Sequence, residues 1–126
     1  MENRIQVTPK GDYVEVISDG EKDYDFACRL WAQVSRVCNE NDCFRVLGIA
    51  NTTRLMSPWD AFDHHKIFVS AGIDERYQIA WVETNPQAVK IVRFIETVLM
   101  HQGLNIGIHA SVEEARDWLL QGSSVD

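Results

Sequence analysis

The chain is short of the features that usually declare a chemistry. It has three cysteines, Cys28, Cys38 and Cys43. The number is odd and no CxxC pair occurs, which speaks against a disulfide framework or a zinc site. Cys28 and Cys38 fall in a helical pattern and are expected to pack as small apolar groups. Glycines are few and scattered, so neither a Walker loop nor a GxGxxG turn is present to cradle phosphate. There is no GxSxG elbow and no serine at a strand end, so the nucleophile, base and orienting acid of a hydrolase are not visible. No apolar run approaches the roughly 20 residues that span a bilayer. Basic charge is scarce as well: 12 Lys and Arg stand against 19 Asp and Glu, a net charge of -7. Nucleic acid and anionic membrane both require a basic footprint, so neither is expected as a general partner. Met1-Glu2-Asn3-Arg4 lacks the basic-then-apolar order of a secretory signal, and a cytoplasmic protein is expected.

What is present reads as one folded domain over 1–126, with about 1–3 and 122–126 frayed. Hydrophobic residues make up 45% of the 126 residues, enough for a sizeable core. The clearest stretch runs from Glu75 to Leu119. Ile79-Ala80-Trp81-Val82 is a short apolar strand, after which Asn85-Pro86 opens a helix with a cap and a proline at the first position. Ala88, Ile91, Val92, Ile95, Val98 and Leu99 share a face of that helix, and Gly103 ends it. Leu104 to His109 alternates as a strand with one buried face. Ser111-Val112-Glu113-Glu114 is a capping box for a closing helix that carries Ala115, Trp118 and Leu119.

Upstream, residues 4–18 form a hairpin turning at Pro9-Lys10-Gly11-Asp12, and Ser18-Asp19-Gly20 ends its second strand. A helix from about Asp23 to Asn39 carries Ala27, Leu30, Trp31, Val34, Val37 and Cys38 on one face. Cys43 to Ala50 is apolar on both faces and suits a central strand, with Leu104–His109 towards an edge. Asn51-Thr52-Thr53-Arg54 is expected as a polar loop. Ser57 caps a single helix that starts at Pro58, runs through Phe62, His65, Phe68 and Val69, and closes at Gly72. The order β-β-α-β-α-β-α-β-α predicts an α/β fold with a mixed sheet, antiparallel in the hairpin and parallel afterwards, one face covered more fully than the other.

That order and several phrases resemble the STAS fold of anti-sigma-factor antagonists and sulfate-transporter tails, most nearly its SpoIIAA-like, or STAS-like, branch. The phrases are Pro58-Trp59-Asp60-Ala61-Phe62, Glu75-Arg76-Tyr77-Gln78-Ile79-Ala80-Trp81-Val82 and Glu113-Glu114-Ala115-Arg116-Asp117-Trp118-Leu119. The resemblance implies a STAS-like mixed sheet, an N-terminal hairpin followed by βαβαβα units, with helices covering mainly one face. It also implies a non-enzymatic domain that recognises a protein partner or an apolar, lipid-like small molecule, with no cofactor. The alternative it carries is a regulator like the anti-sigma-factor antagonists, which are switched by phosphorylation of a serine after the central strand. Pro58 aligns with that serine and has no hydroxyl, so the switch is expected to be missing.

His64 and His65, with Asp60 and Asp63 nearby, are the best-looking metal or acid–base candidates. Adjacent histidines on a helix point about 100° apart, however, and the i,i+4 spacing of a helical zinc pair is absent. No metal site is expected. His101 suits a helix end and His109 a loop. Trp31 and Trp118 read as core residues, Trp81 as a strand residue, and Trp59 as partly exposed. Residues converge at the carboxyl edge of the parallel strands, where ligands of open α/β sheets bind. Asn51, Thr52, Ser57, Trp59, Thr84 and Asn85 are the candidate ligand or partner residues, with helix-start N–H groups as donors and Trp59 as an apolar wall. The same residues also serve as caps and turn formers. A homodimer is left open.

Overall fold

A computed structural model describes residues 4–21 and 23–121. The expected fraying at about 1–3 and 122–126 lies outside the described residues. Strands β1 (Arg4–Pro9) and β2 (Val14–Glu21) form the hairpin. Helix α1 (Tyr24–Asn41) leads to β3 (Arg45–Arg54), followed by α2 (Pro58–Phe62) and α3 (His64–Ala71). Strand β4 (Gln78–Glu83) enters a short 3-10 turn (Pro86–Ala88) and α4 (Val89–His101); β5 (Asn105–Ile108) and α5 (Val112–Gln121) complete the chain. The sheet order is β1-β2-β3-β4-β5. Only β1 and β2 pair antiparallel; the other pairs are parallel. β3 is therefore central and β5 lies at an edge, as the two-faced apolarity of one and the alternation of the other predicted.

Helices α1, α3 and α4 contribute to the main core on one face of the sheet, where Leu30, Val34, Phe68, Val92 and Leu99 pack against Val14, Val46 and Ile79. Its centre is aromatic. Trp31 lies 4.5 Å from Phe68 and 5.3 Å from Trp81, ring centre to ring centre. Trp81 needs a neighbour without a side chain. Its register partner on β3 is Gly48, where an added Cβ would stand 1.9 Å from the indole Cε3. The opposite face is covered by α5, whose Ala115 and Leu119 meet Leu47, Ala80 and Val82. Trp118 is half-buried at the rim of this smaller cluster, not in the main core as its helical spacing suggested. His109, expected to face a loop, lies 5.0 Å from the Trp118 ring.

Three boundaries differ from the expected ones. β3 does not end at Ala50; residues 51–54 continue as strand, because β2 also continues and offers a ladder for them, with Asp19 opposite Asn51 and Gly20 opposite Thr52. The β-branched Thr52 and Thr53 suit that conformation. The second strand of the hairpin accordingly runs on to Glu21, beyond the predicted stop at Ser18-Asp19-Gly20. The helix expected from Pro58 to Gly72 is broken at Asp63. Two imidazoles compete there with the backbone for carbonyl oxygens: His64 Nδ1 donates to Asp60 O at 3.1 Å and His65 Nδ1 to Phe62 O at 3.0 Å. α1 begins where expected, near Asp23, which serves as its cap: the Asp23 carboxylate accepts from Phe26 N–H at 2.8 Å. It ends on Asp42 in the left-handed region at φ 49°.

Candidate functional site

The carboxyl edge of the parallel strands holds a buried hydrogen-bonded clasp. Glu83, the last residue of β4, is buried. Its Oε1 accepts from Thr52 Oγ1 at 2.6 Å, and its Oε2 accepts from Thr52 N–H at 3.0 Å and Asn85 N–H at 3.1 Å. The Asn85 side-chain amide donates back to the Thr52 carbonyl. Thr84 N–H and Oγ1 both donate to Ala50 O, at 2.8 and 2.9 Å. A carboxylate placed among three donors is well satisfied, and removing one partner from so enclosed a network is costly. The clasp joins the end of β4 to the extension of β3.

Three of the six candidate residues, Thr52, Thr84 and Asn85, are thus brought together, and their donors are engaged inside the clasp. Asn51 is exposed beside them. Among the described residues, Ser57 and Trp59 make no hydrogen bond to that group. Ser57 Oγ accepts from Asp60 N–H at 3.2 Å, and Asn85 Oδ1 accepts from Gln87 N–H at 3.1 Å, so each helix start carries its own side-chain cap. Trp59 stands 80% exposed on the first turn of α2.

Beside α2 opens a groove of about 560 Å³ between the residues that precede it and the exposed side of α4. Leu55, Pro58, Ile91 and Phe94 provide apolar surface, and Lys90 and Arg93 are the charged residues lining it. Leu55 and Phe62 are each about half exposed. Large apolar side chains so exposed and so close in the fold form the kind of patch that marks an interaction surface.

The histidines take other roles. His64 is buried, and both His64 and His65 have Nδ1 on backbone carbonyls. Among the described residues no cluster of three or more His, Cys, Asp or Glu is arranged to hold a metal ion. Burial, with a smaller contribution from nearby Cys43, pushes the Cys38 thiol up to about 12, so it packs as an inert apolar group. Arg76 holds the Asp74 carboxyl below its usual range through a 2.9 Å hydrogen bond and lies over the Phe44 ring, bracing the turn into β4.

No protein-family profile and no curated protein sequence matches the chain. Solved structures do. A crystal structure of an anti-sigma factor antagonist from Mycobacterium paratuberculosis superposes with a TM-score of 0.60 at 12% identity, covering 94% of either chain. An uncharacterised protein from Shewanella loihica, described as having a SpoIIAA-like fold, superposes with a TM-score of 0.53 at 14% identity, covering 93% of either chain. The fold is STAS-like. At such identities the likeness is one of fold, and it spans nearly the whole domain.

Within this STAS-like fold, two features escaped the sequence. Glu83 stood in the right loop but gave no sign that it would be buried; an acid closing an otherwise apolar strand was the available signal. The groove escaped because Ile91 was assigned to the buried face of α4. Ile91 and Phe94, three residues apart with Leu55 and Pro58 across from them, line it, and an apolar Phe94 off the buried face was the clue.

Proposed function

We propose that this chain is a STAS-like binding domain, without catalysis of its own, that recognises a protein partner through the surface around the start of α2. One observation carries the proposal: Trp59 stands 80% exposed at the head of α2, in the segment that also borders the apolar groove. An exposed indole beside an apolar patch brings large contact area at small entropic cost, which is why tryptophan recurs at the centres of interfaces. Ser57 caps the start of α2 at this surface, Asn51 is exposed on the extension of β3, and Thr52, Thr84 and Asn85 hold the strand edge together through the clasp. Likeness of fold to an anti-sigma factor antagonist supports a binding role. Pro58 leaves no hydroxyl at the position aligned with the phosphorylated serine, so partner binding is set by contact and not by phosphate. A cytoplasmic location fits, and no described helix is long and apolar enough to cross a membrane.

The test pairs native mass spectrometry of the purified parent with affinity capture by the parent and by Trp59→Ala. The expected result is a protein retained by the parent and lost by the variant, with unchanged thermal melts. Retention of an apolar small molecule alone would favour the lipid-like reading. Stoichiometric phosphate on Ser57 after exposure to a serine kinase of the anti-sigma type would revive a phosphorylation switch.

A further inference from the structure

The groove beside α2 carries a charge that the rest of the chain does not. Overall, 19 acidic residues outnumber 12 basic ones, yet the groove is lined by Lys90 and Arg93 and by no acid. Lys90 has no ion-pair partner among the described residues. Arg93 Nη1 lies 3.7 Å from Glu96 Oε1, a long ion pair, while the other Glu96 oxygen, Oε2, accepts from Ile108 N–H at 2.8 Å. Lys90 is thus an unpaired cation at the groove, and Arg93 is held by one long pair with which a ligand carboxylate can compete. The nearby acids Glu21, Asp23 and Asp60 line a different hollow, together with Arg54. The charged lining of the groove is cationic on a net negative molecule.

Resting on the binding role proposed above, we infer that the groove takes an acidic amphipathic helix of a partner protein. Its apolar face lies on Leu55, Pro58, Ile91 and Phe94, and its carboxylates face Lys90 and Arg93. The shape fits a helix. The side of the groove formed by the 3-10 turn and α4, from Gln87 to Thr97, is about 15 Å long at roughly 1.5 Å per residue, the span of about three helical turns. Anchors at i, i+3 or i+4 and i+7 match that length. Other occupants fit less well. A second copy of the chain has its acidic helix α5 already packed on its own sheet through Ala115 and Leu119, so that apolar face is not free to enter the groove. Nucleic acid or a bilayer would demand many more cations than two.

The experiment is selection from a displayed library of 14-residue helical peptides, balanced between Lys and Glu at the polar positions, against the intact domain. Enriched peptides are expected to be net acidic with apolar residues at helical spacing. Their affinity for Lys90→Glu/Arg93→Gln should fall about tenfold and should weaken with salt in the parent. Circular dichroism melts of the variant should match the parent, since both side chains are exposed. Enrichment of basic or neutral peptides, unchanged affinity in the charge variant, or no enrichment at all overturns the inference. If acid bias is absent but Trp59→Ala or Phe94→Ala still releases the selected peptides, the α2 surface remains a partner surface and only the acidic helix is lost. If neither variant releases them, both proposals fall.

Discussion

Trp31, Phe68 and Trp81 meet inside the sheet–helix core, while Leu55, Trp59 and Phe62, from the segment between β3 and α3, stand out in solvent. Both groups are aromatic-rich, both belong largely to helices, and α2 and α3 follow one another almost without a break. The difference is what each group has to pack against. Trp31 and Phe68 face a strand that places Gly48 beneath Trp81, leaving room for stacked rings. α2 has only five residues and buries only Ala61. Apolar character without an available core surface stays exposed to solvent.

Trp31→Ala should produce the largest effect. Loss of a buried indole at the centre of the aromatic cluster is expected to cost about 3–5 kcal/mol, read by chemical denaturation. A cost below about 1 kcal/mol would erase the contrast with α2, since such values belong to surface positions. Gly48→Ala should follow closely, at about 3 kcal/mol, because the new methyl must displace the Trp81 ring from a packed core. The near-ultraviolet circular dichroism of the tryptophans should change with it; an unaltered spectrum and melting temperature would show the ring to be loosely held.

Glu83→Gln should cost about 1–3 kcal/mol, since the charge-assisted bonds are lost and, with the amide oxygen serving the two N–H groups, the NH2 obliges the Thr52 hydroxyl to turn from donor to acceptor. Hydrogen exchange at the Thr52 and Asn85 amides should quicken. If exchange and stability are unchanged, the clasp is not what ties the end of β4 to the extension of β3.

A smaller effect is expected with pH at the α5 face. Burial holds the His109 imidazole below its usual range, opposed by Glu114 and Glu96 and reinforced by Arg93. A depressed imidazole means that the unfolded chain binds more protons than the folded one around the ordinary histidine pKa. Stability should therefore rise with pH through that window and be complete above about 6.5. It should fall as pH drops towards the folded value. His109→Gln should flatten this dependence in pH-scanned melts; a slope that survives would assign it to another group.

The smallest effect on folding is expected from Trp59→Ala, within about 0.5 kcal/mol. Trp118→Ala, half-buried at the rim of the lesser cluster, should fall between this and Trp31→Ala. Trp59→Ala should nevertheless weaken partner binding by at least about 1 kcal/mol. Equal losses of stability at positions 31 and 59 would collapse the comparison between the two aromatic groups.

Much was legible from local pattern alone. Helix starts at Asp23, Ser57, Asn85 and Ser111 follow from side-chain oxygens that reach a backbone N–H two or three residues on, a relation contained within one turn. The two-faced apolarity of Val46 to Ala50 placed that strand centrally, because only a strand covered on both sides can bury both rows. The outcome was decided by distance elsewhere. Asn51 to Arg54 reads as loop until β2 supplies its hydrogen-bond partners. Glu83 is an ordinary acid until Thr52, 31 residues away, donates to it. Trp59 and Trp31 are the same residue, each in a helix, and no local rule separates them; burial is a property of the surface that arrives from another part of the chain. The groove is of that kind too: Leu55 and Pro58 come from one segment and Ile91 and Phe94 from another, and only the folded chain puts them side by side.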